Sequence, residues 1–422
     1  MSKKREGKGV KLAVKGALVP KLRFSEFCDE SAWVVSYGNK LFDQINNRQA
    51  TPGLPILAIT QEHGAIPRDA IDYHVSVTGK SVETYKEVQP DDFIISLRSF
   101  QGGIEFSEYH GVCSPAYVIL RKRTELSEVF FKYLFKSHRF IQQLTKNLEG
   151  LRDGKMISYR QFSELLLPNP TFDEQQKIAD CLASIDELLT FEAQKLDTLK
   201  THKKGLMQQL FPAEGETVPK LRFPEFRDAG EWEGMSIGDF GEVVTGSTPS
   251  TMHPEFYGGD IPFVSPADIS DFRFVYDTKN TLTALGFDAT RPIKANSVLF
   301  VCIGSTIGKV AQNMQECATN QQLNSVIPNA QHSGDFVYYA LSQNADRIAN
   351  LAGKQAVPII NKTLFSSVRL PVPKLIEQER IASCLSSLDD LLTAQTQKIE
   401  TLKTHKKGLM QQLFPSLDEV QG

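Results

Sequence analysis

The side chains best equipped for chemistry lie on short polar loops that carry glycine. Gly304-Ser305-Thr306-Ile307-Gly308-Lys309 follows an apolar, strand-like run and ends in Gly-Lys, the outline of a phosphate-binding loop. It has three residues between its glycines where that loop needs four, and Val310 stands where a magnesium-ligating Ser or Thr belongs. Nucleotide hydrolysis is therefore not the expectation. What remains is a loop whose glycines admit close backbone approach and whose Ser305, Thr306 and Lys309 can donate to a ligand. Arg98-Ser99-Phe100-Gln101-Gly102-Gly103 holds the corresponding place after an earlier apolar run. Arg and Gln on such a loop can address guanine and adenine edges, which makes Arg98, Ser99 and Gln101 candidates for DNA contact. A second pair of loops, around Arg152 and Lys155 and around Lys354 and Gln355, offers basic and amide groups suited to phosphates. Thr319-Asn320-Gln321-Gln322 is a further polar cluster entering a strand, and its amides, Gln321 and Gln322 among them, can reach bases or simply cap the strand. A solvated or structural turn is the competing reading for each loop taken singly.

Other chemistry finds no support. The eight histidines show no HExxH spacing, and the six cysteines form no CxxC and no Cys/His ligand cluster. GxSxG, a kinase set and a cofactor-binding glycine turn of the methyltransferase kind are missing too. The chain reads as non-catalytic and metal-free. Its thiols read as reduced, in a cytoplasmic protein. A net charge of −3 gives no global attraction to polyanions, so a nucleic-acid surface must come from local patches. No apolar run approaches the ~18 residues that a membrane span requires.

Two long helices must position these loops. Residues 199–212 and 402–415 share the fourteen letters LKTHKKGLMQQLFP, and the likeness extends upstream at the same offset of 203. In the first copy, Ile178, Ile185, Leu199 and Leu206 form one row at heptad spacing, and Leu182, Leu189, Leu196 and Leu210 the other. In the second, Ile381, Leu388, Leu402 and Leu409 run beside Leu385, Leu392, Ile399 and Leu413. Paired rows seven apart are the seam of a coiled coil, so the two helices are expected to pair rather than to serve unrelated cores. Glu192 and Lys203, matched by Gln395 and Lys406, interrupt both seams, as expected where register matters more than maximal stability. Prolines 168, 170, 371 and 373 precede the helices and Pro212 and Pro415 end them. A helix from Glu174 to Leu210 would be a spacer of roughly 55 Å.

The duplication also sets the domain plan. VPKLRFSEF at 19–27 precedes Trp33, and VPKLRFPEF at 218–226 precedes Trp232. The expected order is a basic flexible tail (1–18), a first globular domain (19–167), a first spacer helix (168–215), a second globular domain (216–370), and a second spacer helix with tail (371–422). Strands are expected at 55–60, 92–98, 115–121, 261–265, 297–304 and 322–328, with helices at 127–148 and 334–351. The fold class is α+β: two mixed α/β heads separated by long helices, as a pseudo-two-fold internal repeat. The heads keep one order of elements while their letters differ, which suggests one job done on two targets.

GSTPST at 246–251, EFYGGDIPFVSPADI at 255–269, GSTIGKV at 304–310, TNQQLNSVIP at 319–328 and LPVPKLIEQERIASCLSSLDDLL at 370–392 together resemble the specificity subunits of type I restriction–modification systems, over essentially the whole chain. The first half lacks the GSTPS entry and has NNRQATPG at 46–53 instead. The resemblance implies two target recognition domains, each reading one half of an interrupted, asymmetric DNA site, with the helices packed antiparallel as a ruler. It also implies partners: two methyltransferase subunits, which would carry S-adenosylmethionine, and restriction subunits, which would use ATP and magnesium. This chain itself would bind none of these cofactors. A coiled-coil adaptor whose heads bind proteins is the rival reading, and a hydrolase using the Gly-Lys loop a third.

Overall fold

The computed structural model describes residues 18–48, 53–71, 84–146, 157–353 and 357–415. The expected contacts Arg152, Lys155, Lys354 and Gln355, and nearly all of the basic tail, fall outside them. The chain divides into two compact units, residues 1–191 with 400–422, and residues 192–399. The division runs through both long helices, Phe172–Leu210 and Leu375–Leu413, each of 39 residues.

In the first unit an antiparallel sheet has the order Phe42–Ile45, Val118–Lys122, Phe93–Ile95, Glu105–Phe106. Two helices, Glu128–Lys136 and His138–Lys146, stand where one was expected. The break is at Ser137, whose backbone is extended (φ −68°, ψ 142°) and whose Oγ accepts from Phe140 N–H at 3.3 Å, so the residue caps a new helix instead of continuing the old one. Phe42, Phe93, Phe131 and Phe135 are fully buried between sheet and helices, with edge-on ring contacts such as Phe42–Phe131 at 5.1 Å. Burying one such ring stabilises the fold by about 1.5–3 kcal/mol relative to leaving it in water.

The second unit has a five-stranded sheet ordered Gly241–Thr245, Leu323–Pro328, Val298–Val301, Val310–Asn313, Phe274–Val275, in which only the last pairing is parallel. A second sheet joins Asn280–Leu282, Tyr257–Val264 and Ala318–Thr319. Each head closes through a two-stranded ribbon, Val34–Tyr37 with Leu166–Asn169 and Glu233–Ser236 with Arg369–Val372. Pro168 and Pro371 lie in these ribbons, where a missing N–H is tolerated.

The same joints recur in both units. Arg23 binds Glu174 through two hydrogen bonds of 2.8 Å, as Arg222 binds Glu377. Gln175 Oε1 accepts from Ser127 N–H at 2.9 Å, as Gln378 Oε1 accepts from Ser333 N–H at 3.0 Å, so each long helix holds the start of a head helix. Tyr133 Oη donates to Asp186 at 2.7 Å while Lys406 Nζ lies 2.5 Å from the other carboxylate oxygen; Tyr339 and Lys203 do the same for Asp389. The lysine and aspartate of each joint come from different long helices. Within the first unit Ile178 and Leu182 share a core with Leu413 and Phe414. Within the second, Ile381 and Leu385 share one with Leu210 and Phe211. In each unit, then, the start of one long helix packs antiparallel against the end of the other. Of the expected seam, Ile178, Leu182, Ile381, Leu385 and Ile399 are buried, while Ile185, Leu189, Leu196, Leu199, Leu388, Leu392 and Leu402 are half-buried.

Candidate nucleic-acid interface

In the second head, residues 302–309 join two antiparallel strands, Val298–Val301 and Val310–Asn313. Val301 N–H donates to the Lys309 carbonyl at 2.9 Å and Gly308 N–H to the Val301 carbonyl at 3.0 Å, closing a hairpin. Gly304 (φ 101°) and Gly308 (φ 96°) supply the left-handed conformations this turn needs. A phosphate-binding loop leads into a helix whose N-terminal N–H groups face the anion; this loop leads into a strand and has no such donors. The hydrolase reading fails on that geometry.

Three polar loops meet here, one of them distant in sequence from the other two. Thr248 Oγ1 donates to Gln321 Oε1 at 2.6 Å, which joins the 246–251 loop to the 319–322 cluster. Gln322 Nε2 donates to the Ile303 carbonyl at 3.3 Å and its Oε1 accepts from Asn320, which joins that cluster to the hairpin. Gly304 N–H donates to the Pro358 carbonyl at 3.1 Å, so the stretch after Lys354 and Gln355 runs beside the same hairpin. A Cβ on Gly246 would stand 2.2 Å from the Asn320 carbonyl oxygen, so only glycine lets these loops approach. Ser305 is exposed and Thr306 half-exposed. Lys309 is exposed overall, but its Nζ donates to the Ile269 carbonyl at 2.9 Å and so ties the hairpin to the 265–269 segment.

In the first head, Arg98 precedes one turn of helix, Ser99–Gly102, that leaves the strand Phe93–Ile95. This turn replaces the hairpin of the second head. Gln61 Nε2 donates to the Arg98 carbonyl at 3.3 Å, and Lys136 Nζ donates to the Gly102 carbonyl at 3.0 Å while lying 2.5 Å from Glu105. Burial pushes the Glu105 carboxyl above its ordinary range, against the pull of Lys136. The Arg98 and Gln101 side chains are exposed, and neither has a side-chain partner among the described residues. Ser99 is different: it is 1% exposed and its Oγ accepts from Ser96 N–H at 2.9 Å, so its side chain holds the turn and does not face outward.

Thr248, which is not among the expected contacts, orients Gln321, and Asn320 of the same polar cluster orients Gln322. The GSTPS entry was the available signal for Thr248. Among the described residues no cluster of His, Cys, Asp or Glu could hold a metal ion, and no helix is long and apolar enough to cross a membrane.

A sequence model described as the type I restriction modification DNA specificity domain matches residues 36–201 and again residues 229–404. The type I restriction enzyme MjaIX specificity subunit of Methanocaldococcus jannaschii is 28% identical over 178 residues, 41% of this chain and 41% of its own length. The HindI specificity subunit of Haemophilus influenzae is 32% identical over 168 residues, 39% of this chain and 36% of its own. In both alignments the chain spans less than half of the relative. The putative MjaX specificity subunit of M. jannaschii aligns more broadly, 23% identical over 78% of this chain and 76% of its own. Among solved structures, the type I restriction–modification S subunit from M. genitalium shares the fold with a TM-score of 0.57 at 15% identity, covering 94% of this chain and 99% of that one.

Proposed function

The chain belongs to the family of type I restriction–modification DNA specificity proteins, and from that premise we propose that it is the DNA-reading, non-catalytic subunit of a type I complex. Each head reads one half of an interrupted, asymmetric site, and the two long helices set the spacing between half-sites. The observation that carries this reading is a duplicated head-and-helix plan whose candidate reading loops differ in kind. One head offers Arg98 and Gln101 on a helical turn; the other offers Ser305, Thr306, Gln321 and Gln322 around a hairpin. Two such surfaces suit two different half-sites, because a few loop side chains decide which bases are read.

Partners follow from the same reading. Two methyltransferase subunits dock along the long helices and carry S-adenosylmethionine; restriction subunits, where present, use ATP and magnesium; the assembly works in the cytoplasm. The adaptor reading is set aside because both copies of the family domain are DNA specificity domains. The test is methylation mapping of a host expressing this chain with its methyltransferase partner. Modified adenines in a single bipartite, asymmetric motif are the expected result. Unchanged host methylation, with no salt-sensitive DNA binding by the purified complex, would overturn the reading.

A further inference from the structure

One polar position is enclosed where the two long helices meet inside the second unit. Glu192 is 3% exposed and Gln395 6%. Gln395 Nε2 donates to Glu192 Oε2 at 2.6 Å and to the Glu192 carbonyl at 2.9 Å. Lys398 Nζ lies 2.5 Å from the remaining carboxylate oxygen, Oε1. The two residues are 203 apart, the offset of the repeat, so this position of the repeat meets its own copy. The copies are not the same residue. At the other buried polar positions of the helices the copies agree: Glu174 with Glu377 and Gln175 with Gln378. At the enclosed position a carboxylate on one helix faces a neutral amide on the other.

Physical chemistry makes that difference a filter. A carboxylate facing an amide finds a donor, and Lys398 balances its charge. Two amides can bond each other. Two carboxylates in a layer shielded from water cannot both stay ionised without cost. Lys195, the copy of Lys398, could approach each carboxylate of such a pair, but each would still lose its amide donor and face a like charge. Single buried polar residues at helix seams are known to fix pairing and register.

We propose that Glu192 and Gln395 form a pairing code that is met best by one carboxylate and one amide, tolerates two amides and rejects two carboxylates. The code matches the first long helix to the second and disfavours the pairing of two first helices from separate copies of the chain. It does not depend on what the heads bind.

The intact chain can test this, because single substitutions reproduce the homotypic layers. Gln395→Glu creates the layer that two first helices would make, and Glu192→Gln the layer that two second helices would make. The double variant Glu192→Gln/Gln395→Glu exchanges the roles and restores one of each, with Lys195 placed to balance the moved carboxylate. Thermal unfolding at neutral pH should show Gln395→Glu lowered by about 3 °C or more, Glu192→Gln lowered less, and the double variant recovered to within about 1 °C of the parent. The Gln395→Glu deficit should shrink near pH ~4, where one carboxyl takes a proton and donates as the amide did. If Gln395→Glu is insoluble, a soluble double variant supports the code and an insoluble one overturns it. A parent-like Gln395→Glu, or a double variant as damaged as Gln395→Glu, would overturn it too.

Discussion

Leu22 N–H donates to the Gln412 carbonyl at 3.1 Å, which ties the beginning of the described chain to the end of the second long helix. In the second unit Leu221 N–H makes the same bond to the Gln209 carbonyl at 2.9 Å. There the chain runs directly from one partner to the other; in the first unit the partners lie at opposite ends. The surroundings match as well. Phe414 stacks edge-on against Phe130, which meets Trp33, and Phe211 stacks against Phe336, which meets Trp232. The backbone N–H of Trp33 donates to the Leu18 carbonyl just as the backbone N–H of Trp232 donates to the Thr217 carbonyl.

This equivalence predicts that the chain tolerates circular permutation. Pro415 joined to Leu18 through Ala-Glu-Gly-Glu, the letters of 213–216, copies the connection already present in the second unit. The chain would be opened between Glu214 and Gly215. Both are exposed, and closing so short a loop costs little beyond what the parent already bears. The permutant should keep the parent's circular dichroism, thermal midpoint and, with methyltransferase partners, methylation motif. An unfolded permutant would show that the two connections are not equivalent.

Acid should weaken the helix pairing of the second unit. The hydrogen bond from Gln395, and then Lys398, hold the Glu192 carboxyl below its ordinary range. A carboxyl with a depressed folded value contributes stability that is present above its unfolded value of about 4.3 and is lost as pH falls through the folded one. Denaturant midpoints of the parent should therefore fall on acidification through that window. Those of Glu192→Gln should fall less, because it has no proton to take up there. Parallel curves for the two proteins would remove Glu192 from the acid response.

Arg98 and Ser99, adjacent in sequence, should separate into contact and support. Arg98→Ala removes an exposed side chain and should leave the thermal midpoint unchanged. It should weaken binding to the cognate site by about 1–3 kcal/mol if the guanidinium reads a base edge. Ser99→Ala removes the acceptor for Ser96 N–H and should cost about 1–3 kcal/mol of stability, since a buried donor is left unpaired. Gel shifts and melting curves on both variants settle the assignment, and a destabilised Arg98→Ala would refute it.

How much could be read beforehand followed the range of the interactions. The long helices were legible because heptad rows and flanking prolines are local signals; the expected Glu174 start is two residues from the observed Phe172. The Gly-Lys hairpin was less so. A glycine turn after a strand looks alike whether a helix or a strand follows, and the partners that decide its shape, Thr248 with Gln321 and Lys309 with Ile269, are 73 and 40 residues apart. The exchange of helix ends was legible only through the family resemblance, which implies antiparallel helices, and not from the letters of the two ends. Residues 199–212 and 402–415 are identical, so no letter says which end serves which head.

That identity carries the last prediction. A fragment from Val218 to Gly422 lacks the segment that completes the second unit, in which Leu206, Met207, Leu210 and Phe211 pack against Trp232, Phe336, Ile381 and Leu385. It retains Leu409, Met410, Leu413 and Phe414, the same side chains at the same repeat positions, but on its own helix. A second copy can deliver them, with Lys406 of one copy meeting Asp389 of the other as Lys203 does now. Gln395 would face Gln395, an amide pair that satisfies itself. The fragment should therefore be a homodimer with two identical heads related by a two-fold axis, and such a dimer reads a site of the same symmetry. Light scattering should give twice the fragment mass, and methylation mapping with methyltransferase partners should show an interrupted palindrome built from one half-site. A folded monomer would mean that the helix end is dispensable to the head core, and an asymmetric motif would mean that the heads do not read independently.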